Sequence, residues 1–296
     1  MTGSHHTRTG TSPQLAVPKT LKQHAKLWWA RLVGLSGGRV TAAWEIPGIP
    51  GRVHHADTMF DPNDANGVAY YLRAGASAVE VLDQTMRSAT VSRLSIGRVL
   101  DYGCGYGRVL RHLRTFLPEA QLVACDLDPQ AVHFCSKEFG ARGIVAPKQP
   151  SRLKLPPCDL VWGGSVWTHL PEAEGRQLFS ALANALKPNG ILVFSFHGAF
   201  AYENLDTLFG GSYAEDSSGV QAEIEETGIS YRSYPERYLT LGEGSYGTAW
   251  HHPDFYRSLA RARNDLDEVW HAPRGWDRFH DVIAFQRRSS HATDRD

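Results

Sequence analysis

The stretch Val99-Leu100-Asp101-Tyr102-Gly103-Cys104-Gly105-Tyr106-Gly107-Arg108 decides how this chain is read. A short apolar run, Arg98–Tyr102, ends in glycines at every second position, and a helical pattern (Val109, Leu110, Leu113, Phe116, Leu117) starts directly after them. A strand that turns through glycine into a helix brings backbone close to a ligand with no Cβ in the way. It also offers the free N–H groups of the helix start to an anionic or polar group. The GxGxG spacing departs from the GxGxxG of dinucleotide-binding loops. Asp101 stands two residues before the first glycine, where a carboxylate suits a ligand ammonium, a group that a pyrophosphate cofactor lacks.

Outward from this turn, strands and helices alternate. Residues 121–125 read as a strand that ends in Asp126, whose carboxylate suits both ribose hydroxyls of a nucleoside. Asp128-Pro129 reads as a helix start, with a capping acid ahead of proline at the first position. Residues 158–162 are strand-like. A helix through Leu178, Phe179, Leu182 and Leu186 stops at Lys187-Pro188-Asn189-Gly190, and residues 191–196 form a strand apolar on both faces. This rhythm predicts βαβ units and a mostly parallel sheet. Upstream, Val68, Tyr71, Leu72, Val79, Leu82 and Met86 fall at helical spacing, behind an irregular connector over residues 45–66 rich in Pro, Gly and Asn. Residues 198–250 lose the rhythm and read as an insertion, lid or binding loop. A helix over 253–264 and strands near 266–270 and 281–286 close the chain. The expected organisation is a disordered tail (1–18), an N-terminal helical and irregular extension (19–90), a main domain (91–288) with a substrate-side insertion (198–250), and a flexible tail (289–296).

Four segments together resemble the class I S-adenosylmethionine-dependent methyltransferases. They are the glycine motif Asp101–Gly107, Val-Ala-Cys-Asp126-Leu-Asp, Asp159-Leu-Val-Trp, and Leu186-Lys-Pro-Asn-Gly190-Ile-Leu-Val. They cover residues 97–197 in the family's order. The resemblance implies an α/β fold, a doubly wound, mostly parallel seven-stranded sheet of Rossmann-like type, and S-adenosyl-L-methionine as cofactor. It implies that Asp101, Gly103, Gly105 and Gly107 hold the methionine end and Asp126 the ribose, with Leu127 and Ser165 as further cofactor contacts. The family's acid or amide for adenine after the third strand is missing. Residues 144–152 offer only Gln149 and Ser151, so backbone and apolar contacts are expected there.

In such a sheet, ligands sit beyond the carboxyl ends of the strands. Residues 163–169 and 197–198 therefore face the acceptor. A hydroxyl acceptor needs a base, which suits histidine. His197 is the first candidate, followed by His169 and His251, and Trp167, Tyr246 and Trp250 are candidates for an aromatic wall.

Composition narrows the classes. The chain has 296 residues, 42% hydrophobic and 21% charged, which describes a globular domain with a sizeable core. No apolar run spans a membrane, and no export signal is expected. Residues 1–55 carry seven Lys or Arg against Glu45, so a zero total leaves a net −6 for the remainder. An acidic body, with Gly163-Gly164-Ser165-Val166 where an Asn/Asp-Pro-Pro-aromatic tetrapeptide would stand, argues against nucleic acid. The basic stretch 19–35, with Trp28 and Trp29, reads as a helix that packs on the main domain or touches a membrane surface. Cys104, Cys125, Cys135 and Cys158 have neither CxxC nor zinc spacing and are expected as free thiols in the cytoplasm. His54-His55-Ala56-Asp57 lacks a third ligand at metal-site spacing, so no metal is expected. The expected function is methyl transfer to a hydroxyl of a small molecule or glycan. The alternatives are N-methylation of a natural-product amine, which the acidic body favours, and a non-catalytic cofactor-binding scaffold.

Overall fold

The computed structural model describes residues 40–42, 48–60, 65–209, 213, 216–234 and 246–289. The expected tail at 1–18, the basic helix at 19–35 and all but Ser289 of the final tail lie outside the described residues. No described helix is long and apolar enough to cross a membrane.

Two short strands, β1 (Val40–Ala42) and β2 (Val53–His54), pair ahead of helix α1 (Ala65–Ser88). The main sheet follows: β3 (Arg98–Tyr102), α2 (Leu110–Phe116), β4 (Gln121–Asp126), α3 (Pro129–Phe139), β5 (Arg142–Val145), β6 (Cys158–Gly163), α4 (Glu172–Asn184) and β7 (Leu186–Phe196). The insertion contains α5 (Ala199–Glu203), α6 (Leu205–Leu208), α7 (Ser217–Thr227), β8 (Ile229–Ser233) and β9 (Gly247–His251), and α8 (Pro253–Arg263), β10 (Leu266–Trp276) and β11 (His280–Arg287) complete the chain.

The seven-stranded order is β10-β11-β7-β6-β3-β4-β5. β3 to β7 run parallel, and β11 is antiparallel to both its neighbours. The doubly wound sheet expected from the sequence is therefore present. Successive strand residues point to opposite faces. Val99, Leu122, Leu160 and Ile191 face the core formed with α1, α2 and α3. Leu100, Val123, Val161 and Leu192 face the core formed with α4 and α8. All eight are fully buried, which explains why the central strands read as apolar on both faces.

Several boundaries differ from the sequence reading. The last parallel strand starts at Leu186 rather than 191, because Lys187-Pro188-Asn189-Gly190 continues the strand as a protruding stretch. The penultimate strand reaches Trp276 through a polar, irregular run. Residues 198–250 are not rhythmless. Of their helices, two are too short to show a period and the third buries only Val220 and Ile224; all pack with Trp250 on a small core of Ala201, Leu205, Phe209, Val220 and Ile224. Asp128 caps α3 by accepting from the Gln130 N–H at 2.9 Å, as the Asp-Pro signal predicts.

Asp159 ties the strands together at the end opposite the glycine turn. Its Oδ2 accepts from the Gly97 N–H at 3.0 Å, the Arg98 N–H at 2.8 Å and Lys187 Nζ at 2.8 Å. Asp159→Ala strips partners from all three donors. It is expected to lower unfolding free energy by about 1–3 kcal/mol in urea denaturation, with an unchanged far-UV spectrum.

Candidate active site

Asp101 stands next to the end of β3 with 2% of its surface exposed, and its Oδ2 has no hydrogen-bond partner among the described residues. Burial, and then the nearby Asp126, push its pKa up to about 7, while Arg108 pulls it down. The chain then turns through Gly103, Gly105 and Gly107, all at positive φ. Two of these need glycine for different reasons. A Cβ on Gly107 (φ +82°) would lie 2.2 Å from the Phe139 ring. A Cβ on Gly105 (φ +48°) would meet nothing within 4 Å, so that backbone borders open space.

Asp126, at the end of the neighbouring strand, is held by backbone. Its Oδ2 accepts from the Gly105 N–H at 2.7 Å and its Oδ1 from the Asp128 N–H at 3.0 Å. Each oxygen keeps a second lone pair for a ligand hydroxyl. Leu127, just past β4, and Val145, the last residue of β5, are 54% and 52% exposed. Exposed apolar side chains at adjoining strand ends provide a surface for a flat ring. Leu127 stands among the sequence candidates. Val145 does not, although it falls in the stretch expected to make apolar contacts.

Residues 48–60 close over the glycine turn from the N-terminal side. Fully buried Arg111 donates to the carbonyls of Pro50 (2.8 Å) and Arg52 (3.2 Å) and to the Tyr71 hydroxyl (3.2 Å). Tyr71 in turn donates to Asp57 Oδ2 at 2.7 Å. The His54 ring stacks on Tyr106 at 4.6 Å, and Tyr106 donates to Asp128 at 3.0 Å. His54 and Asp57 are thus structural, and the described residues contain no group of three or more His, Cys, Asp or Glu able to hold a metal.

The histidine candidates lie beyond the ends of β6 and β7. Buried His197 directly follows β7. Its Nδ1 is 3.0 Å from the Ala249 carbonyl. A carbonyl only accepts, so Nδ1 carries the proton and Nε2 the lone pair. Burial, reinforced by His280, His169 and His251, holds its pKa well below the usual histidine value, with the Ala249 hydrogen bond opposing. His169 has the same anchorage, with Nδ1 2.9 Å from the Gly247 carbonyl and its ring stacked on Tyr246 at 4.8 Å.

His280 is the residue that the sequence reading missed. β11 is antiparallel to β7, with Asp281 opposite Phe196, so the residue that opens β11 arrives beside His197. The two rings stack with centroids 5.3 Å apart at 12°. Burial and then Arg108 hold the His280 pKa down to about 3. A histidine at the start of a final antiparallel strand was the available signal, legible only once that strand is paired with the fifth.

Other candidates move. Ser165, at φ +58°, places its Oγ 3.2 Å from Thr168 Oγ1 and 3.4 Å from His280 Nε2, while its neighbour Val166 lies against Gly103 of the turn. His251 is 1% exposed and packs against Phe196, Phe255 and Tyr256, so it leaves the base candidates; its neighbour His252 caps α8. Trp167 and Trp250 are fully buried in two cores and form no wall; of the three aromatics, Tyr246 alone stacks on a candidate histidine.

Residues 100–192 match the family described as "Methyltransferase domain". This stretch, the core of the seven-stranded sheet, is a methyltransferase domain of Rossmann-like fold. It is 32% identical over 114 residues to the Type II methyltransferase M.XamI of Xanthomonas campestris pv. amaranthicola, covering 36% of this chain and 21% of that protein. It is 26% identical over 170 residues to the malonyl-[acyl-carrier protein] O-methyltransferase of Halalkalibacterium halodurans, covering 55% and 59%. The chain thus spans about a fifth and about three fifths of the length of these curated relatives. Among solved structures, the magnesium protoporphyrin IX methyltransferase of Synechocystis PCC 6803 with S-adenosylhomocysteine has a TM-score of 0.49 at 15% identity, covering 77% of this chain and 91% of that one.

Residues at the glycine turn fit S-adenosyl-L-methionine. The orphaned oxygen of Asp101 calls for a cation, and the open space at Gly105 gives room for the chain attached to it. An ammonium at Asp101 requires the ionised carboxylate, so cofactor affinity should rise as pH climbs toward about 7 and level off above it. Calorimetry of S-adenosylhomocysteine is expected to show an approach to tenfold per pH unit below that point. Asp101→Asn is expected to weaken binding and remove the slope.

Proposed function

We propose that this methyltransferase acts on a hydroxyl group of a small molecule or glycan, with His197 as the base. The observation that carries the reading is the state of His197. It is a neutral, buried imidazole at the end of β7, with Nδ1 committed to the Ala249 carbonyl and the lone pair on Nε2. S-adenosyl-L-methionine, when bound, supplies a methyl group on a good leaving group. The chain's own residues have the tasks of aligning the partners and relieving the hydroxyl of its proton. Asp101, the glycine turn and Asp126 serve the first task. His197 serves the second by accepting the proton on Nε2, and the Ala249 carbonyl, facing Nδ1–H, stabilises the imidazolium that results. His169, anchored identically to Gly247, is the second base candidate. The malonyl-[acyl-carrier protein] O-methyltransferase relative is in keeping with an oxygen acceptor. Four buried free cysteines suit a reducing cytoplasm.

The test uses S-adenosylmethionine labelled on its methyl group, incubated with the protein and a cell extract that is then fractionated. Label is expected in a saccharide or small polar product. Label in nucleic acid or protein overturns the acceptor class. With that product in hand, His197→Ala is expected to reduce kcat by about 10²–10⁴-fold. At saturating cofactor, the wild-type kcat is expected to show no histidine limb near pH 6.5, because burial keeps His197 neutral well below it. An acid limb at the acceptor's own amine pKa would point to nitrogen instead.

A further inference from the structure

Arg108 follows the last glycine of the turn and is half-buried. It forms no hydrogen bond or ion pair with any described residue. Its contact is with Trp276, with the guanidinium carbon 5.3 Å from the ring centroid. The contrast with Arg111, one helical turn further on, is plain. Arg111 is buried deeper and spends its donors on four carbonyls and a tyrosine. A half-buried guanidinium with its N–H edges unspent has lost part of its hydration and gained no partner, and a planar oxyanion recovers that loss best.

The acids within reach of its charge are already engaged. Asp57 accepts from Tyr71 and from the Met59 N–H, and Asp277 accepts from Tyr70. Asp101 is matched to the cofactor's ammonium. The position of Arg108 is equally informative. Trp276, under the guanidinium, has its ring 5.2 Å from His280, which stacks on His197. Arg108 and the two neutral imidazoles thus flank the buried Trp276 ring, between the glycine turn and the end of β7.

We propose that Arg108 anchors the acceptor through a carboxylate, so that the substrate is a hydroxy acid rather than a neutral alcohol. The inference deepens the reading of the His197 side as the acceptor site and rests on it. The acid's carboxylate pairs with the guanidinium edge above Trp276, and its hydroxyl is thereby directed toward the histidines. Aromatic or sugar acids both meet this requirement.

The probes are 3-hydroxybenzoate and 3-hydroxybenzyl alcohol, titrated calorimetrically into the full chain saturated with S-adenosylhomocysteine. The acid is expected to bind at least about tenfold more tightly than the alcohol. Arg108→Gln should erase that preference, and Arg108→Lys should keep part of it, with melting temperatures showing that both variants fold. Equal affinity for the two probes, or no binding of the acid at millimolar concentration, overturns the proposal. The cofactor's own carboxylate is the competing source of the same chemistry. If Arg108→Gln weakens S-adenosylhomocysteine about tenfold but leaves its decarboxylated analogue unaffected, Arg108 belongs to the cofactor and the proposal fails. His197→Gln should leave the acid-over-alcohol preference intact, so an error in assigning the base shows in methyl transfer alone.

Discussion

A carboxylate oxygen buried without a donor is the constraint around which this cleft is arranged. Asp101 stands next to the end of the central strand, and its Oδ2 faces no partner among the described residues. Desolvating such a group is tolerable only where the structure compels it and a ligand later satisfies it. Three features supply the compulsion. Cross-strand pairing on both sides holds β3 in the middle of the sheet. The left-handed turn through Gly103, Gly105 and Gly107 directs the chain away from the carboxylate rather than over it. Asp126, one strand over, fastens that turn by accepting from the Gly105 N–H. Without the second acid the loop has no reason to stay open, so the two carboxylates do different work. One is satisfied and builds the turn, and the other is left unsatisfied and awaits charge.

The same logic separates the arginines and histidines. Arg111 is structural because its donors are consumed by residues 50, 52 and 71. His251 is structural because its ring is surrounded by Phe196, Phe255 and Tyr256. Residue type predicts neither outcome. What distinguishes a functional side chain in this protein is an unspent polar edge next to open space, and that property belongs to the assembled fold.

This is also why legibility in the sequence was uneven. The glycine turn, Asp101, Asp126 and the Asp128 cap are local features, each with its partner within a few residues or at the next strand end, and spacing alone finds them. The parallel strands were legible because burial on both faces leaves an uninterrupted apolar run. The insertion was not, since α5 and α6 are too short to display a helical period, α7 buries only Val220 and Ile224, and β8 and β9 find each other across a long gap. Trp167 and Trp250 read equally well as wall or core, and burial decided for core. His280 required knowing that β11 returns antiparallel along β7, and Ser165 required a backbone at φ +58° that turns its hydroxyl toward that histidine.

The anchors of His197 and His169 come from one place. Ala249 and Gly247 are alternate residues of β9, and β9 belongs to the insertion, not to the sheet from which the histidines project. The insertion therefore sets the tautomer of both imidazoles. On the proposed function, recognition and proton chemistry would not be independent modules. Grafting a foreign insertion onto the same sheet would change which ring nitrogen carries the proton as well as which molecule fits, unless the graft brought two carbonyls to the same two positions.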